Sequence, residues 1–278
     1  MGLGNLMFDG IVTDPDMVEG DYYENGLLMC GECHTPKQCV IRVLGQKRTV
    51  GCLCRCGVEK RDADEAERAK KAKMERIERM RMNGFPDTEM RKWTFDADDG
   101  KNEEASRIAK NYVKRFGEML KKGKGLLMYG TVGTGKTFLS VCIANALIDQ
   151  GHPCLVTNFA RITNTLGGMY DGKQQYLDNL NSYDLLVIDD LGAERDTEFM
   201  GEVVQTIIDS RYRSGKPLII TTNLTSDELK HPSDIRRART YSRLLEMCIP
   251  VEVAGRDRRK EILKRDYAEL KKLLGEEQ

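Results

Sequence analysis

The sequence predicts an α/β protein in which a parallel sheet is flanked by helices and preceded by a small cysteine-rich module and a charged helix. Two observations lead to this prediction. In the later part of the chain, short apolar segments alternate with helical segments, as expected when helices connect buried parallel strands. In addition, six of the nine cysteines fall between Cys30 and Cys56, which sets the first part of the chain apart as a separate module.

We divide the 278 residues into three segments. Residues 1–57 are expected to form a zinc-binding module, residues 58–86 a charged helical linker, and residues 87–278 the α/β domain. The linker is rich in Glu, Lys and Arg at i,i+3 and i,i+4 spacing, which favours a helix, and it ends near Asn83-Gly84. Because its apolar residues are sparse, it fits a solvated helix without a partner as well as a coiled-coil or docking helix.

The elements of the α/β domain follow from apolar runs and their spacing. The predicted buried strands are Leu126–Tyr129, Pro153–Thr157, Leu185–Ile188 and Pro217–Thr221. The segments Glu103–Lys121 and Val203–Arg213 are predicted to be helices. In the cysteine-rich module, Val40–Leu44 and Lys47–Val50 are predicted to form a small hairpin.

Composition limits the partners and the compartment. The formal net charge is zero, so any contact with DNA has to come from a local patch. No apolar run approaches the length of a membrane span, and the first 26 residues are acidic and interrupted by Gly and Pro rather than resembling a secretory signal. We therefore expect a cytoplasmic protein with no membrane contact, whose cysteines are thiols or metal ligands rather than disulfides.

The segment from Gly130 to Thr137 fits G-x-x-x-x-G-K-[ST], the phosphate-binding loop of nucleoside triphosphatases. Glycines allow successive backbone N–H groups to turn toward one phosphate. Lys136 would reach the β- and γ-phosphates, and the hydroxyl of Thr137 would bind Mg²⁺. A predicted strand precedes the loop and a predicted helix follows it, which is the context that supports ATP binding. The candidate nucleotide-binding residues of this segment are Gly130, Thr131, Val132, Gly133, Thr134, Gly135, Lys136, Thr137 and Phe138.

Two later strands are predicted to supply the remaining groups of the site. One ends in Asp189 and Asp190, at the carboxyl edge where ligands collect in such sheets. Asp189 would hold Mg²⁺, and Asp190 would orient the attacking water. The side chain of Asp is one methylene shorter than that of Glu, so Glu194 would help if Asp190 does not reach the water. Asn223 follows the next strand, where its amide would face the γ-phosphate or the water.

Two groups of arginines follow the Asn223 strand. An arginine supplied across a subunit boundary stabilises charge on the transferred phosphate. Arg243 is our first candidate for this role and Arg239 the second. Arg256, Arg258 and Arg259 form a basic cluster at a strand-to-helix junction, where one of them would act on the phosphates of its own chain. For each of these arginines, the alternative is an ordinary solvated surface side chain with no role at the nucleotide.

The cysteine spacing predicts a structural zinc site. Cys30-x-x-Cys33 supplies two ligands, and two more come from Cys52, Cys54 and Cys56. A site closed by sulfur leaves no open position for catalysis. Because so short a module cannot build a large core, metal binding would supply its folding energy.

Several motifs together resemble the bacterial helicase loaders of the DnaC/DnaI type, which are AAA+ ATPases. The residues that carry the resemblance are Trp93-Thr94-Phe95, the Gly130–Thr137 loop, Leu186–Gly192, Ile208–Arg213 and Pro217–Leu224. The resemblance covers about Asp87 to Leu270, and transposition helpers of the IstB type resemble this core almost as well. The cysteine module is similar to the zinc-binding, helicase-binding domain of DnaI-type loaders.

The resemblance implies an ATP-switched protein that binds a DnaB-type hexameric helicase through its first module and helps place it on single-stranded DNA. It also implies self-assembly through the ATPase domain and a sensor I role for Asn223. In such proteins a DNA-facing helix lies in the segment 158–173, which here offers Phe159, Arg161, Tyr170 and Lys173 for stacking on bases or pairing with phosphates. Because the segment has few basic residues, ordinary surface and core positions are the alternative. The sequence departs from the family at two places. Asp190 stands where the family carries Glu, and the cluster of Arg256, Arg258 and Arg259 does not match one sensor II pattern.

Two alternatives remain at this point. The first is a transposition helper of the IstB type, against which the zinc module argues, since those helpers usually begin with a plain helical segment. The second is an adaptor with little turnover in which ATP only sets shape, an interpretation that Asp190 supports.

Overall fold

The computed structural model describes residues 17–192, 198–232 and 234–274. The chain divides into two compact units between Glu75 and Arg76, and this division lies within one long helix, α1 (Arg55–Gly84). Helix α1 includes nearly all of the predicted linker. The three-segment division at residues 57 and 86 stays a prediction.

The first unit is built from two small antiparallel hairpins and the beginning of α1. Its strands are β1 (Tyr22–Glu24), β2 (Leu27–Met29), β3 (Gln38–Val43) and β4 (Gln46–Gly51). The pairing of β3 with β4 confirms the predicted hairpin. Among residues 17–75 the buried apolar side chains are Leu28, Cys30 and Cys54. Hydrophobic burial therefore contributes little to holding this unit together.

The second unit alternates helices and strands. After the end of α1, it has two 3-10 turns, Glu89–Lys92 and Phe95–Ala97. The further elements are α2 (Glu103–Lys114), α3 (Phe116–Lys122), β5 (Gly125–Tyr129), α4 (Lys136–Asp149), β6 (Cys154–Asn158), α5 (Phe159–Gly167), α6 (Lys173–Ser182), β7 (Leu185–Leu191), α7 (Glu198–Ser214), β8 (Leu218–Thr222), α8 (Ser226–Lys230), α9 (Ile235–Met247), β9 (Cys248–Glu252) and α10 (Arg258–Leu273). No helix in the described part of the chain has the length and apolar character that spanning a bilayer requires.

Within the described ranges, the five strands of this unit form one parallel sheet in the order β6-β7-β8-β5-β9. The predicted α/β fold with a parallel sheet and flanking helices is thus confirmed. Because side chains alternate along a strand, Leu126 and Met128 pack into one apolar cluster and Leu127 into another. Strands β7, β8 and β5 are neighbours, so their carboxyl ends open onto a common site.

The predicted helix Glu103–Lys121 is interrupted. Arg115 has non-helical dihedral angles (φ −106°, ψ 18°) and separates α2 from α3. Phe116, the first residue of α3, is fully buried and packs edge-on against His152 with ring centroids 4.9 Å apart. This contact comes from a distant part of the chain, which explains why helix propensity alone predicts one continuous helix.

Arg211 of α7 is a fully buried guanidinium at the amino-terminal edge of the sheet. It donates hydrogen bonds of 2.7 to 3.4 Å to backbone carbonyl oxygens that precede β7 and β8. The acceptors are Leu180, Tyr183, Asp184 and Pro217. Burial lowers the pKa of Arg211 to about 10, so its charge persists at neutral pH and is balanced by these carbonyl dipoles.

Candidate functional site

The glycine loop between β5 and α4 has the backbone conformation of a phosphate cradle. Gly133 and Gly135 have φ angles of 79° and 100°, a region that side chains with a Cβ rarely occupy. Gly135 directly precedes Lys136, the first residue of α4. The first-turn N–H groups of a helix lack acceptors within it, so this end of α4 offers donors and a positive dipole end to an anion.

Lys136 is buried at the centre of the loop. Its Nζ donates to the carbonyl oxygens of Gly130 and Thr131 at 2.9 and 2.7 Å and to Oδ1 of Asn223 at 2.8 Å. Burial lowers the pKa of the Lys136 ammonium, while the nearby carboxylates act in the opposite direction. The structure thus brings together the loop lysine and the asparagine that follows β8, which are 87 residues apart in sequence.

The two residues expected to hold Mg²⁺ are in direct contact. The hydroxyl of Thr137 lies 2.9 and 3.1 Å from the carboxylate oxygens of Asp189. Burial raises the pKa of Asp189, and hydrogen bonds from Thr221 and Thr137 oppose that effect. A hydroxyl beside a carboxylate is a donor set that suits Mg²⁺, which binds through one or two carboxylates and keeps several waters.

The end of β7 departs from a regular ladder. Between Ile188 and Leu191 the pairing with β8 shifts register, so that Asp189 and Asp190 lie opposite the single residue Thr221. Such a bulge re-aims side chains and is frequent beside active sites. Asp190 has φ 57°, in the left-handed region, and its side chain is exposed. Sequence reasoning missed Thr221, because a bulge depends on pairing with a distant strand.

A cavity of about 810 Å³ adjoins the loop. Lys136, Thr137, Asp189, Asp190 and Asn223 line one part of it. Another part is apolar and is lined by Met90, Trp93, Ala97 and Phe138. The rings of Trp93 and Phe138 lie 5.9 Å apart. The arrangement suits a nucleotide, with phosphates at the polar part and a base at the apolar part. Sequence reasoning included Phe138 but missed Met90, which carries no motif.

Arg258 and Arg259 line this cavity, as do Asp99 and Lys101. The backbone N–H of Arg258 donates to the carbonyl oxygen of Gly133 at 3.0 Å, and its guanidinium lies 3.0 Å from Oδ1 of Asp99. Arg258 and Arg259, two of the three arginines of the basic cluster, therefore lie beside the phosphate loop. The third, Arg256, is exposed and does not line the cavity.

Arg243 and Arg239 lie on α9, away from the lining of the cavity. The guanidinium of Arg243 forms an ion pair with Asp209 of α7, and the Arg243 side chain remains 42% exposed. Arg239 is exposed. A role for either arginine in a neighbouring subunit stays a prediction, and Glu194 lies outside the described residues.

The segment expected to face DNA divides into buried and exposed residues. Phe159 is 1% exposed and belongs to an apolar cluster, so of the two interpretations the core position holds for this residue. An aromatic residue at the start of a helix that packs on a sheet serves the core instead. Tyr170, by contrast, is fully exposed, and Arg161 and Lys173 are also at the surface.

In the first unit, the structure gathers four thiols. The sulfur atoms of Cys30, Cys33, Cys54 and Cys56 all lie within 4.8 Å of one another. The Sγ of Cys56 is 3.5 Å from that of Cys30 and 3.3 Å from that of Cys54. Tetrahedral zinc with bonds of about 2.3 Å requires sulfur separations of about 3.8 Å, so the cluster is compatible with zinc.

Cys52, the remaining candidate, lies outside this cluster. It follows β4 directly, and its backbone N–H donates to the carbonyl oxygen of Lys37 at 2.7 Å. Its thiol lies 3.6 Å from the carbonyl oxygen of Pro36. The hairpin register therefore turns Cys52 away, while Cys54 and Cys56 face the pair formed by Cys30 and Cys33.

Backbone donors favour thiolates at two of the four positions. The N–H groups of Cys33 and Glu32 lower the pKa of Cys30. The N–H of Cys56 and the hydroxyl of Thr35 lower the pKa of Cys33 to about 5. Because the thiolate is the metal-binding form, these donors prepare the first cysteine pair for a cation.

A phosphate loop, a strand-end aspartate that contacts the loop threonine, and an asparagine that contacts the loop lysine define an ATP-binding protein of the AAA+ class. Residues 62–261 match the family described as IstB-like ATP binding protein, and the chain belongs to this family. The four-cysteine cluster ends at Cys56, before the matched region begins.

Similar proteins include replicative helicase loaders. The chain is 29% identical over 161 residues to the replicative helicase loader DnaI of Bacillus subtilis (strain 168), covering 54% of this chain and 51% of that protein. It is 28% identical over 125 residues to the replicative helicase loader DnaC of Escherichia coli (strain K12), covering 44% and 50%. The chain thus spans about half the length of these curated relatives.

Solved structures that share the fold include those of two helicase loaders. A crystal structure of DnaI aligns with a TM-score of 0.54 and 25% identity over 65% of this chain and 99% of that chain. A crystal structure of the DnaC helicase loader aligns with a TM-score of 0.52 and 24% identity over 60% of this chain and all of that chain. The second likeness supports the fold alone.

Proposed function

We propose that this protein is a cytoplasmic ATPase that binds a DnaB-type hexameric replicative helicase and helps place it on single-stranded DNA during the initiation of replication. The observation that carries the ATPase part is the convergence of Lys136, Thr137, Asp189 and Asn223 in one site. Similarity to DnaI supports the choice of a helicase as client.

ATP would bind with its phosphates in the glycine loop and its base against the apolar part of the cavity. Thr137 and Asp189 would hold Mg²⁺, which neutralises charge on the β- and γ-phosphates. Lys136 would turn from the loop carbonyls to the phosphate oxygens, and Asn223, its present partner, would face the same region.

In hydrolysis, Asp190 would orient a water molecule toward the γ-phosphorus. The water oxygen would bond to phosphorus as the bond from phosphorus to the β–γ bridging oxygen breaks, and the electron pair of that bond would stay on the oxygen of the departing ADP. The Asp190 carboxylate would accept a proton from the water. Arg258 or Arg259 would stabilise the transferred phosphate from within the chain, and Arg243 would act on the nucleotide of a neighbouring copy. This last role requires self-assembly and exchange of Asp209 for a phosphate partner.

The four-cysteine cluster would hold one Zn²⁺ through Cys30, Cys33, Cys54 and Cys56. Zinc would stabilise the fold of the first unit, and that unit would contact the helicase. The residues before the family match would then bind the helicase, and the residues within the match would bind ATP.

Co-purification of the full chain with a DnaB-type helicase tests this proposal. We expect a complex that metal chelation abolishes while ATP binding by the chain persists. If no complex forms either with or without ATP, the loader role is rejected while the ATPase can still stand. Matched samples without chelator, and a nucleotide-binding assay on each sample, separate loss of the client surface from general unfolding.

The family match supports a second candidate, a transposition helper of the IstB type. Such a protein would bind a transposase rather than a helicase, so parallel co-purification with both clients distinguishes the two.

A third candidate, an ATP-switched adaptor with little turnover, is favoured by Asp190 in place of Glu. Measuring ATP turnover with and without single-stranded DNA tests it, since an adaptor would bind ATP but hydrolyse it slowly under both conditions.

A further inference from the structure

Thr221 of β8 connects the two acidic residues at the end of β7. It is fully buried, and its hydroxyl donates to Oδ1 of Asp189 at 2.5 Å. The hydroxyl oxygen of Thr221, Oγ1, also accepts the backbone N–H of Asp190 at 2.9 Å. A hydroxyl can do both at once because it has one hydrogen and two lone pairs. We propose that Thr221 is a positioning residue that holds Asp189 for Mg²⁺ and Asp190 for the attacking water. This inference rests on the proposed ATPase function.

The bulge in β7 explains why a hydroxyl is needed at this position. Asp190 occupies the left-handed region, which residues other than glycine seldom adopt. Its N–H also loses its regular ladder acceptor, because two residues of β7 lie opposite one residue of β8. The side chain of Thr221 supplies the missing acceptor. The hydrogen bond thereby fixes the backbone from which the Asp190 carboxylate projects.

Thr221 also decides how the Asp189 carboxylate is held. Asp189 accepts hydrogen bonds from Thr137 on one side and Thr221 on the other. Thr137 is itself an expected Mg²⁺ ligand, so the position of its hydroxyl would be set by the cation as well as by Asp189. Thr221 lies on the neighbouring strand and would keep its bond to Asp189 whether or not the cation is bound. Partners of this kind orient ligands without touching the metal.

The adjacent residue offers a matched control. Thr222 is equally buried on the same strand, and its hydroxyl donates to the carbonyl oxygen of Leu191 at 2.6 Å and accepts the N–H of Leu224 at 3.1 Å. Neither acidic residue is among these partners. Thr222→Val therefore removes a buried hydroxyl with two hydrogen bonds but leaves those of Asp189 and Asp190 in place.

The experiment compares the wild type with Thr221→Val, Thr221→Ser and Thr222→Val in the full chain. It measures ATP turnover as a function of Mg²⁺ and ATP concentration, and ATP binding with Mg²⁺ and with EDTA. We expect Thr221→Val to lose about 10- to 100-fold in kcat or in apparent Mg²⁺ affinity, the range typical of groups that orient metal ligands. Its ATP binding in EDTA should match the wild type. Thr221→Ser should restore both properties.

The proposal is overturned if Thr221→Val keeps the wild-type Mg²⁺ dependence and turnover, or if Thr222→Val loses them to the same degree. Wild-type chain that binds Mg·ATP but does not turn it over would reject the ATPase role, yet the Mg²⁺ dependence of binding would still test Thr221. Wild-type chain that binds no nucleotide would reject both. Equal melting temperatures of the two valine variants would show that a difference in activity does not come from general destabilisation.

Discussion

The ATP-binding unit and the four-cysteine unit hold their functional groups in opposite ways. In the ATP-binding unit, a parallel sheet with apolar clusters on both faces fixes the strands, and the polar residues stand at the strand ends. In the first unit, the described core amounts to Leu28 and two of the cysteines themselves. A large core thus positions the ATP site, whereas the metal site proposed for the first unit would itself take the place of a core. The same kind of substitution should therefore have different consequences in the two units.

The largest effect is expected from Cys54→Ser. Replacing one of four zinc ligands should release the metal and unfold the first unit, because little else stabilises it. ATP binding by the second unit should persist. Metal analysis measures the loss of zinc, and limited proteolysis measures the unfolding of the first unit. Cys52→Ser is the matched control, since Cys52 lies outside the cluster. Loss of zinc from Cys52→Ser but not from Cys54→Ser would show that the ligand set is wrong.

The next effect is expected from Lys136→Ala. Its ammonium would contribute charge-assisted hydrogen bonds to the β- and γ-phosphates, each of about 1.5–3 kcal/mol, so loss of two such bonds should lower ATP affinity by more than about 100-fold. The zinc content should remain that of the wild type. Equilibrium binding of ATP tests this prediction, with Lys122→Ala, on the exposed surface of α3, as the control. Intact nucleotide binding by Lys136→Ala would mean that the glycine loop is not the ATP site.

Asp190→Asn should separate binding from hydrolysis within the same unit. The amide keeps the length of the side chain but cannot accept a proton, so turnover should fall about 100-fold, as for loss of a general base. ATP binding should change by less than about threefold, because Asp190 is not expected to hold Mg²⁺. Turnover equal to the wild type would assign the water-orienting role elsewhere. Asp190→Glu, which adds one methylene, tests whether the shorter side chain limits the rate.

The smallest effect is expected at the surface, from Tyr170→Ala. Stacking of one base on an exposed ring contributes about 1 kcal/mol or more, so single-stranded DNA binding should weaken about fivefold. Tyr170→Phe keeps the ring and should bind as the wild type does. A fluorescence binding assay at fixed salt concentration compares them. Equal affinity of Tyr170→Ala and Tyr170→Phe would remove this tyrosine from the DNA surface.

How much the sequence revealed depended on the range of each contact. The glycine loop and the parallel strands followed from local patterns, and the structure confirms that fold. The sequence left the choice among Cys52, Cys54 and Cys56 open, because the register of a hairpin decides which thiols face one another. It missed Thr221 for the same reason, since the hydroxyl acts on a neighbouring strand. For Phe159 the sequence left a core position and a DNA contact open, because an aromatic residue suits both, and the structure places it in the core.

The buried Arg211 has a consequence for misfolding. Its guanidinium donates hydrogen bonds to carbonyl groups that precede β7 and β8, at the edge of the sheet opposite to the candidate ATP site. These hydrogen bonds form only when the two strands are paired in the native register. A strand that slipped by one residue would separate these carbonyls from their donors and leave a charge unsolvated in the interior, at a cost of several kcal/mol. Out-of-register pairings of β7 with β8 are thus disfavoured at the end of the sheet opposite to the candidate ATP site. The bulge at Asp190 and the register constraint imposed by Arg211 thus lie at opposite ends of the same two strands.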